Sequence, residues 1–293
     1  MSGLSRILAN GLIVCLLLVP LQAAPAALQT PPMPRSEDGP GFVSIFDGKT
    51  LKGWDGNPKY WRVDNGAIVG ETYNQALHER PYNSGFIIWR GGRPADFELK
   101  LEYRVSAGGN SGVQYRSTEV TDARWVMSGY QWDIDGPNWV LHENASVRLD
   151  RQALELLFAG LTGQEIKRVF DTRRWTGQLW EDNGRCFLAL TGQFARANAD
   201  GRKDELAVLA DQETLLSAIH DDWNELHLIA RGNQMIHILN GHVMSMLIDD
   251  DVKHRRMEGE LGLQIHEDVP MRVEFRKIRL KDLTENHSKR NGG

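Results

Sequence analysis

Residues 97–105 read Phe-Glu-Leu-Lys-Leu-Glu-Tyr-Arg-Val. Phe97, Leu99, Leu101, Tyr103 and Val105 alternate with Glu98, Lys100, Glu102 and Arg104. A period of two puts the first set on one face of a β-strand and the second on the other. The same period continues in Val113 and Tyr115 against Gln114 and Arg116, and in Tyr130, Trp132 and Ile134 against Gln131, Asp133 and Asp135. Further apolar runs lie at 226–230, 235–239, 261–266 and 273–280, and Asn240-Gly241 after the second of them is a hairpin turn signal. Many short strands, frequent glycine turns and no regular alternation with helices predict an all-β chain, an antiparallel β-sandwich or jelly roll.

One stretch breaks the period. Leu149, Ala153, Leu154, Leu156, Leu157 and Phe158 fall at helical spacing, and Thr162 and Glu165 form a capping box ahead of Ile166, Val169 and Phe170. This predicts a short helical insertion over about 139–174, too small to bury a core of its own. Residues 195–220 are a more polar excursion with apolar islands at 206–209 and 215–219.

At the start of the chain, Arg6, an apolar run over 12–19 and the small residues Ala23, Ala24, Ala26 and Ala27 read as a secretory signal peptide, 1–26. Export to the periplasm or the extracellular space is therefore expected. The run is too short to span a bilayer, and no later stretch approaches the ~20 apolar residues that a span needs. Residues 27–40 are a Pro-rich linker, 41–283 the sandwich domain and 284–293 a polar tail. The 293 residues are 41% hydrophobic and 25% charged, which excludes a disordered chain. A net charge of −5 gives no basic field for nucleic acid. Nine Trp and 29 Gly lean towards sugar handling. No feature of the sequence fixes an oligomeric state.

If the apolar sides of the strands form the core, the outward set is Glu102, Arg104, Gln114, Arg116, Gln131, Asp133, Gln264 and His266. These are groups that hydrogen-bond sugar hydroxyls and exchange protons. Trp132 and Trp180 flank them; either can stack on a pyranose ring, although Trp132 reads better as core. No zinc motif, phosphate loop, nucleophile elbow or cofactor motif is present. A divalent cation has two candidate sites, Asp249-Asp250-Asp251 and the Asp133/Asp135 pair. A jelly-roll glucanase would carry a Glu where Gln131 stands, so ordinary double displacement lacks its nucleophile here.

Several longer segments occur in a distinctive order. They include Gly-Phe-Val-Ser-Ile-Phe-Asp-Gly-Lys-Thr-Leu-Lys-Gly-Trp at 41–54, Trp-Arg-Val-Asp-Asn-Gly-Ala-Ile-Val-Gly at 61–70 and Asp-Phe-Glu-Leu-Lys-Leu-Glu-Tyr-Arg at 96–104. Next come Gly-Asn-Ser-Gly-Val-Gln-Tyr-Arg at 109–116, Gly-Tyr-Gln-Trp-Asp-Ile at 129–134, and Thr-Gly-Gln-Leu-Trp-Glu-Asp-Asn-Gly-Arg at 176–185. Gly-Leu-Gln-Ile-His-Glu at 262–267 and Val-Glu-Phe-Arg-Lys-Ile-Arg-Leu-Lys-Asp-Leu at 273–283 complete the series. Together they resemble the 3-keto-disaccharide hydrolase domain family, whose fold is similar to that of the concanavalin A-like lectins and glucanases.

The resemblance implies an oxidised glycoside as substrate and cleavage without a double-displacement pair. A ketone at carbon 3 acidifies the proton on carbon 2. A base removes it, the aglycone leaves carbon 1, and water adds to the double bond. Asp133, Glu181 and His266 are the candidate acids and bases. Glu102, Arg104, Asn110, Arg116, Gln131, Arg185 and Gln264 are the candidate substrate-binding groups. A lectin-like, non-catalytic sugar-binding module is the alternative on the same fold.

Overall fold

The structure is a computed structural model and describes residues 39–72, 85–137, 175–266 and 270–284. The first half contributes β1 (Val43–Ser44), β2 (Trp54–Gly56), β3 (Trp61–Asp64), β4 (Ala67–Glu71), β5 (Gly85–Trp89), β6 (Phe97–Val105), β7 (Asn110–Glu119) and β8 (Met127–Asp135). The second half contributes β9 (Leu179–Asp182), β10 (Cys186–Ala189), β11 (Gln193–Ala197), β12 (Lys203–Val208), the helix α1 (Gln212–Ser217), β13 (Asn224–Arg231), β14 (Gln234–Leu239), β15 (His242–Asp249), β16 (Glu260–Ile265) and β17 (Arg272–Asp282). The segments expected to be a signal peptide, most of the linker, a helical insertion (139–174) and the tail beyond Thr284 lie outside the described residues.

These strands form two sheets. One has ten strands, ordered β12-β11-β15-β14-β13-β6-β17-β4-β3, with β1 also paired to β17. The other has seven, ordered β10-β9-β8-β7-β16-β5-β2. Among the described strands, β11 with β15 is the one parallel pair and all others run antiparallel. The fold is the expected antiparallel sandwich. The polar excursion at 195–220 is structured: it supplies β11, β12 and the short α1, capped by Asp211.

The alternation sets the core. Leu99, Leu101 and Tyr103 of β6 meet Val113, Tyr115, Tyr130, Trp132, Ile134, Leu179, Leu261, Leu263 and Ile265 of the smaller sheet in one buried cluster. Burying each large apolar side chain contributes about 1.5–3 kcal/mol, so these positions fix the register of both sheets. The hairpin at Asn240-Gly241 has both residues at positive φ, 48° and 85°, the conformation for which Asn-Gly is favoured. The outward residues of the smaller sheet therefore form a face turned away from its partner sheet.

Candidate active site

Four neighbouring strands, β9, β8, β7 and β16, and one adjoining segment build that face. On β8, Gln131, Asp133 and Asp135 point away from the core that Tyr130, Trp132 and Ile134 enter. Asp133 stands opposite Gly112 of β7, Asp135 opposite Asn110, and Gln131 between Gln114 and Trp180. Such cross-strand neighbours are about 5 Å apart, and alternate residues on a strand about 7 Å apart. On β9, Leu179 points inward, so Trp180 and Asp182 point outward, with Gln178 just before them on the same side.

A hydrogen-bonded chain crosses the face. Gln114 Nε2 donates to Asp182 Oδ2 at 3.1 Å and to Gln131 Oε1 at 3.0 Å. Gln131 Nε2 donates to Asp133 Oδ1 at 2.6 Å and approaches Gln264 Oε1 at 3.4 Å. Gln178 Nε2 donates to the other oxygen of Asp133. Asp135 accepts from Asn110 Nδ2 and from the Trp175 N–H, each at 3.1 Å.

The electrostatics are unusual because none of these three carboxyls has a salt-bridge partner among the described residues. Asp133 is pushed up to about 8, chiefly by burial, with Asp135 and Asp182 adding to the rise and the two glutamine amides opposing it. Burial likewise raises Asp135 to about 7 and Asp182 to about 6. Carboxyls titrating near neutrality on one face can hold and release protons in a reaction.

An aromatic wall borders this chain. Trp180 packs edge-on against Phe187 of β10, with ring centroids 4.6 Å apart, and Trp175 packs on Phe187 at 5.3 Å. All three are half-buried, and Trp180 Nε1 reaches Asp182 at 3.4 Å. Trp132, by contrast, is fully buried in the core.

Of the residues expected from sequence, Asp133, Gln131, Gln264 and Asn110 come together here. His266 directly follows β16, at the end of the sheet where Asn110 and Asp135 lie, and is half-buried. The others are elsewhere. Glu102 and Arg104 lie on the opposite, ten-stranded sheet. There Glu102 pairs with Arg276 and Lys277, both at 2.6 Å, and Arg104 pairs with Glu274 and Asp222. Arg116 sits at a β-bulge with φ 46°, which turns its side chain off the face. Its fully buried guanidinium donates to the carbonyls of Ala95 (2.7 Å), Gly232 (2.6 Å) and Arg256 (3.3 Å) and to Asp96 (3.2 Å), binding three loops together.

Glu181 and Arg185 also leave the face. Glu181 pairs in register with Tyr130 and so points to the core side, where it accepts from Arg185 Nε at 2.5 Å. Arg185 also holds Asp249 at 2.6 Å and Asp251 at 3.3 Å. Asp249 and Asp251 are thus part of a buried ion network, while the more exposed Asp250 between them pairs with Arg196 at 3.4 Å. Among the described residues no group of three or more His, Cys, Asp or Glu side chains is placed to hold a metal ion.

Gln178 and Asp182 were not singled out from the sequence, and Asp135 only as a cation ligand. The inward Leu179 was the available signal: counting from it places Gln178, Trp180 and Asp182 outward. Gly112 shapes the floor, since a Cβ there would lie 2.6 Å from Gln131 Cδ. Gly112→Ala should therefore displace the Gln131 amide from Asp133 and lower turnover by about tenfold, a misplacement effect. Steady-state kinetics beside a melting curve would check it; unchanged turnover would show that the amide has no such role.

A family model described as "3-keto-alpha-glucoside-1,2-lyase-like domain" matches residues 41–281. A 3-keto-disaccharide hydrolase of Bacteroides thetaiotaomicron is 37% identical over 91 residues, covering 29% of this chain and 30% of that protein. The chain thus matches less than a third of that relative's length. A crystal structure from Parabacteroides distasonis, described as a candidate glycosyl hydrolase, superposes with a TM-score of 0.50 at 19% identity, covering 83% of this chain and 94% of the other. A second such structure from that organism gives 0.46 at 17% identity, covering 83% and 99%. The first of these likenesses supports the fold.

Proposed function

The chain belongs to the 3-keto-alpha-glucoside-1,2-lyase-like domain family, and from that membership we propose that it cleaves 3-keto-glycosides on the outward face of the seven-stranded sheet. The observation that carries this reading is the set of carboxyls held near neutrality by burial among amide donors. A face that only bound sugar would gain from the amides and aromatics but have no use for buried carboxyls that lack a counter-charge among the described residues, which cost stability.

Groups of separated pKa divide the work. Near pH 7, Asp133 is largely protonated and Asp182 largely ionised. Asp182 takes the proton from carbon 2. The C–H electron pair is first held as an enolate at the carbon 3 oxygen; it then forms the carbon 1–carbon 2 double bond, with the ketone restored, as the bond from carbon 1 to the aglycone oxygen breaks and Asp133 protonates that oxygen. The amides of Gln131, Gln178 and Gln264 are the donors available to the enolate oxygen at carbon 3. Water then adds its hydroxyl to carbon 1 as Asp133 takes back a proton, and Asp182, its proton exchanged with solvent, returns one to carbon 2. The wall of Trp175, Trp180 and Phe187 offers an apolar surface to a sugar ring or aglycone. We also propose, on the pattern of residues 1–26, that the protein is exported.

Incubation with 3-keto-glucosides and their unoxidised parents tests the activity. Release of aglycone from the oxidised substrate alone is expected, with kcat/KM bell-shaped and limbs near pH 6 and 8. Sugar binding without release from either would favour the binding module.

A further inference from the structure

Gln178, which donates to Asp133, belongs to a segment that is held from the far side of the core. Gly177 precedes it at φ 87°, a conformation that only glycine adopts freely, and a Cβ there would lie 2.4 Å from Met244 Cβ. The Gly177 N–H donates to the Asp133 carbonyl at 2.9 Å, and the Gly177 carbonyl faces the opposite sheet. Two cross-strand partners of that sheet meet it: His237 Nδ1 on β14 at 3.0 Å and Ser245 Oγ on β15 at 2.7 Å.

His237 is fully buried and stacks on Trp132, with centroids 4.4 Å apart and planes within 17°. Trp132 itself lies between Gln131 and Asp133 on β8. The Tyr115 hydroxyl lies 2.9 Å from His237 Nε2. A carbonyl can only accept, so Nδ1 carries the proton and Nε2 accepts from Tyr115. Burial holds the ring neutral, with its pKa lowered to about 3. One tautomer, fixed at both nitrogens, therefore grips the peptide that aims Gln178.

We propose that His237 is a positioning residue for Asp133: from the core it anchors the Gly177 carbonyl, and so keeps the Gln178 amide on the Asp133 carboxyl. The assignment rests on the proposed function only for its effect on turnover; its effect on the Asp133 proton stands on geometry. Among the described residues, the titratable groups facing Asp133 are Asp135 on its own strand and Asp182 on β9. Those near His237 are Tyr115 and, packed on Tyr115, Tyr130.

Losing the Gln178 donation removes a hydrogen bond that favours the ionised carboxyl, so the Asp133 midpoint must rise. The test is a carbon-13 NMR titration of the aspartate carboxyls, assigned with Asp133→Asn. His237→Phe keeps the ring stack and removes the donor; its Asp133 midpoint should move up by about one pH unit. His237→Asn puts an amide N–H near the Nδ1 position and should restore the wild-type midpoint. Should His237→Phe fail to fold, Tyr115→Phe, which releases the tautomer by removing one hydroxyl, should shift the midpoint in the same direction by about half as much. On a 3-keto-glucoside, the shifted variants should lose about tenfold in kcat with little change in KM. A common midpoint in all folded variants, with only the melting temperature changed, would overturn the proposal. A shifted midpoint in a protein with no turnover of any 3-keto-glucoside would instead uphold the anchoring and remove the proposed reaction.

Discussion

Asp133→Asn is expected to abolish most turnover, by about 10²-fold or more, and at the same time to raise the melting temperature at pH 8. The carboxyl is placed where ionisation is costly: its folded pKa of about 8 stands above the ordinary value near 4. A raised pKa contributes stability below the unfolded value and loses it as pH climbs to the folded one. Wild-type protein is therefore penalised progressively between about pH 4 and pH 8, and an amide is not. A gain of about 2 kcal/mol at pH 8 corresponds to roughly 4–8 °C in a chain of this size. The gain should shrink towards zero at pH 4. Turnover with paired thermal melts at both pH values decides it; a variant that is less stable at pH 8 than at pH 4, relative to wild type, would mean the carboxyl is ionised and well solvated.

The opposite pattern is expected for Arg185→Leu. Its guanidinium holds the side chains of Glu181, Asp249 and Asp251, which are 3%, 0% and 3% exposed. Among the described residues Arg185 is the cation that all three share; without it Asp249 loses its guanidinium, while Glu181 keeps only Arg256 at 3.7 Å and Asp251 only His254 at 2.7 Å, a change that costs about 3–5 kcal/mol or prevents folding. Glu181 faces this network and not Asp133, so Glu181→Gln should be milder still in kinetics, with turnover within about twofold of wild type once folded. Chemical denaturation and steady-state kinetics separate the two. A folded Glu181→Gln variant with turnover reduced by about 10²-fold would return that residue to the chemistry.

The contrast between these residues also shows how far the sequence could be read. Alternation is a local property, and it placed Gln131, Asp133 and Gln264 outward because the apolar partners Trp132 and Ile265 leave no other choice. It cannot say which sheet a strand joins. Glu102 and Arg104 have the same pattern as Gln131 and Asp133, yet β6 pairs with β13 and β17, more than a hundred residues away, and carries them to the other sheet. Alternation also fails where the backbone does. A bulge between Tyr115 and Thr118 breaks the register, so Arg116 does not follow Gln114 onto the face. At β9 the family resemblance points to Glu181 and Arg185, while the inward Leu179 gives the outward place to Asp182.

Cleavage of a 3-keto-glucoside in deuterium oxide addresses the elimination and hydration most directly. If the proton on carbon 2 is removed and water is added across the double bond, the released sugar carries deuterium at carbon 2 as soon as the aglycone appears. The unoxidised glucoside, whose carbon 2 proton is not acidic, should release nothing, and Asp182→Asn should suppress both release and labelling. Aglycone release with protium retained at carbon 2, or equal release from the unoxidised glucoside, would contradict the mechanism assigned to this face.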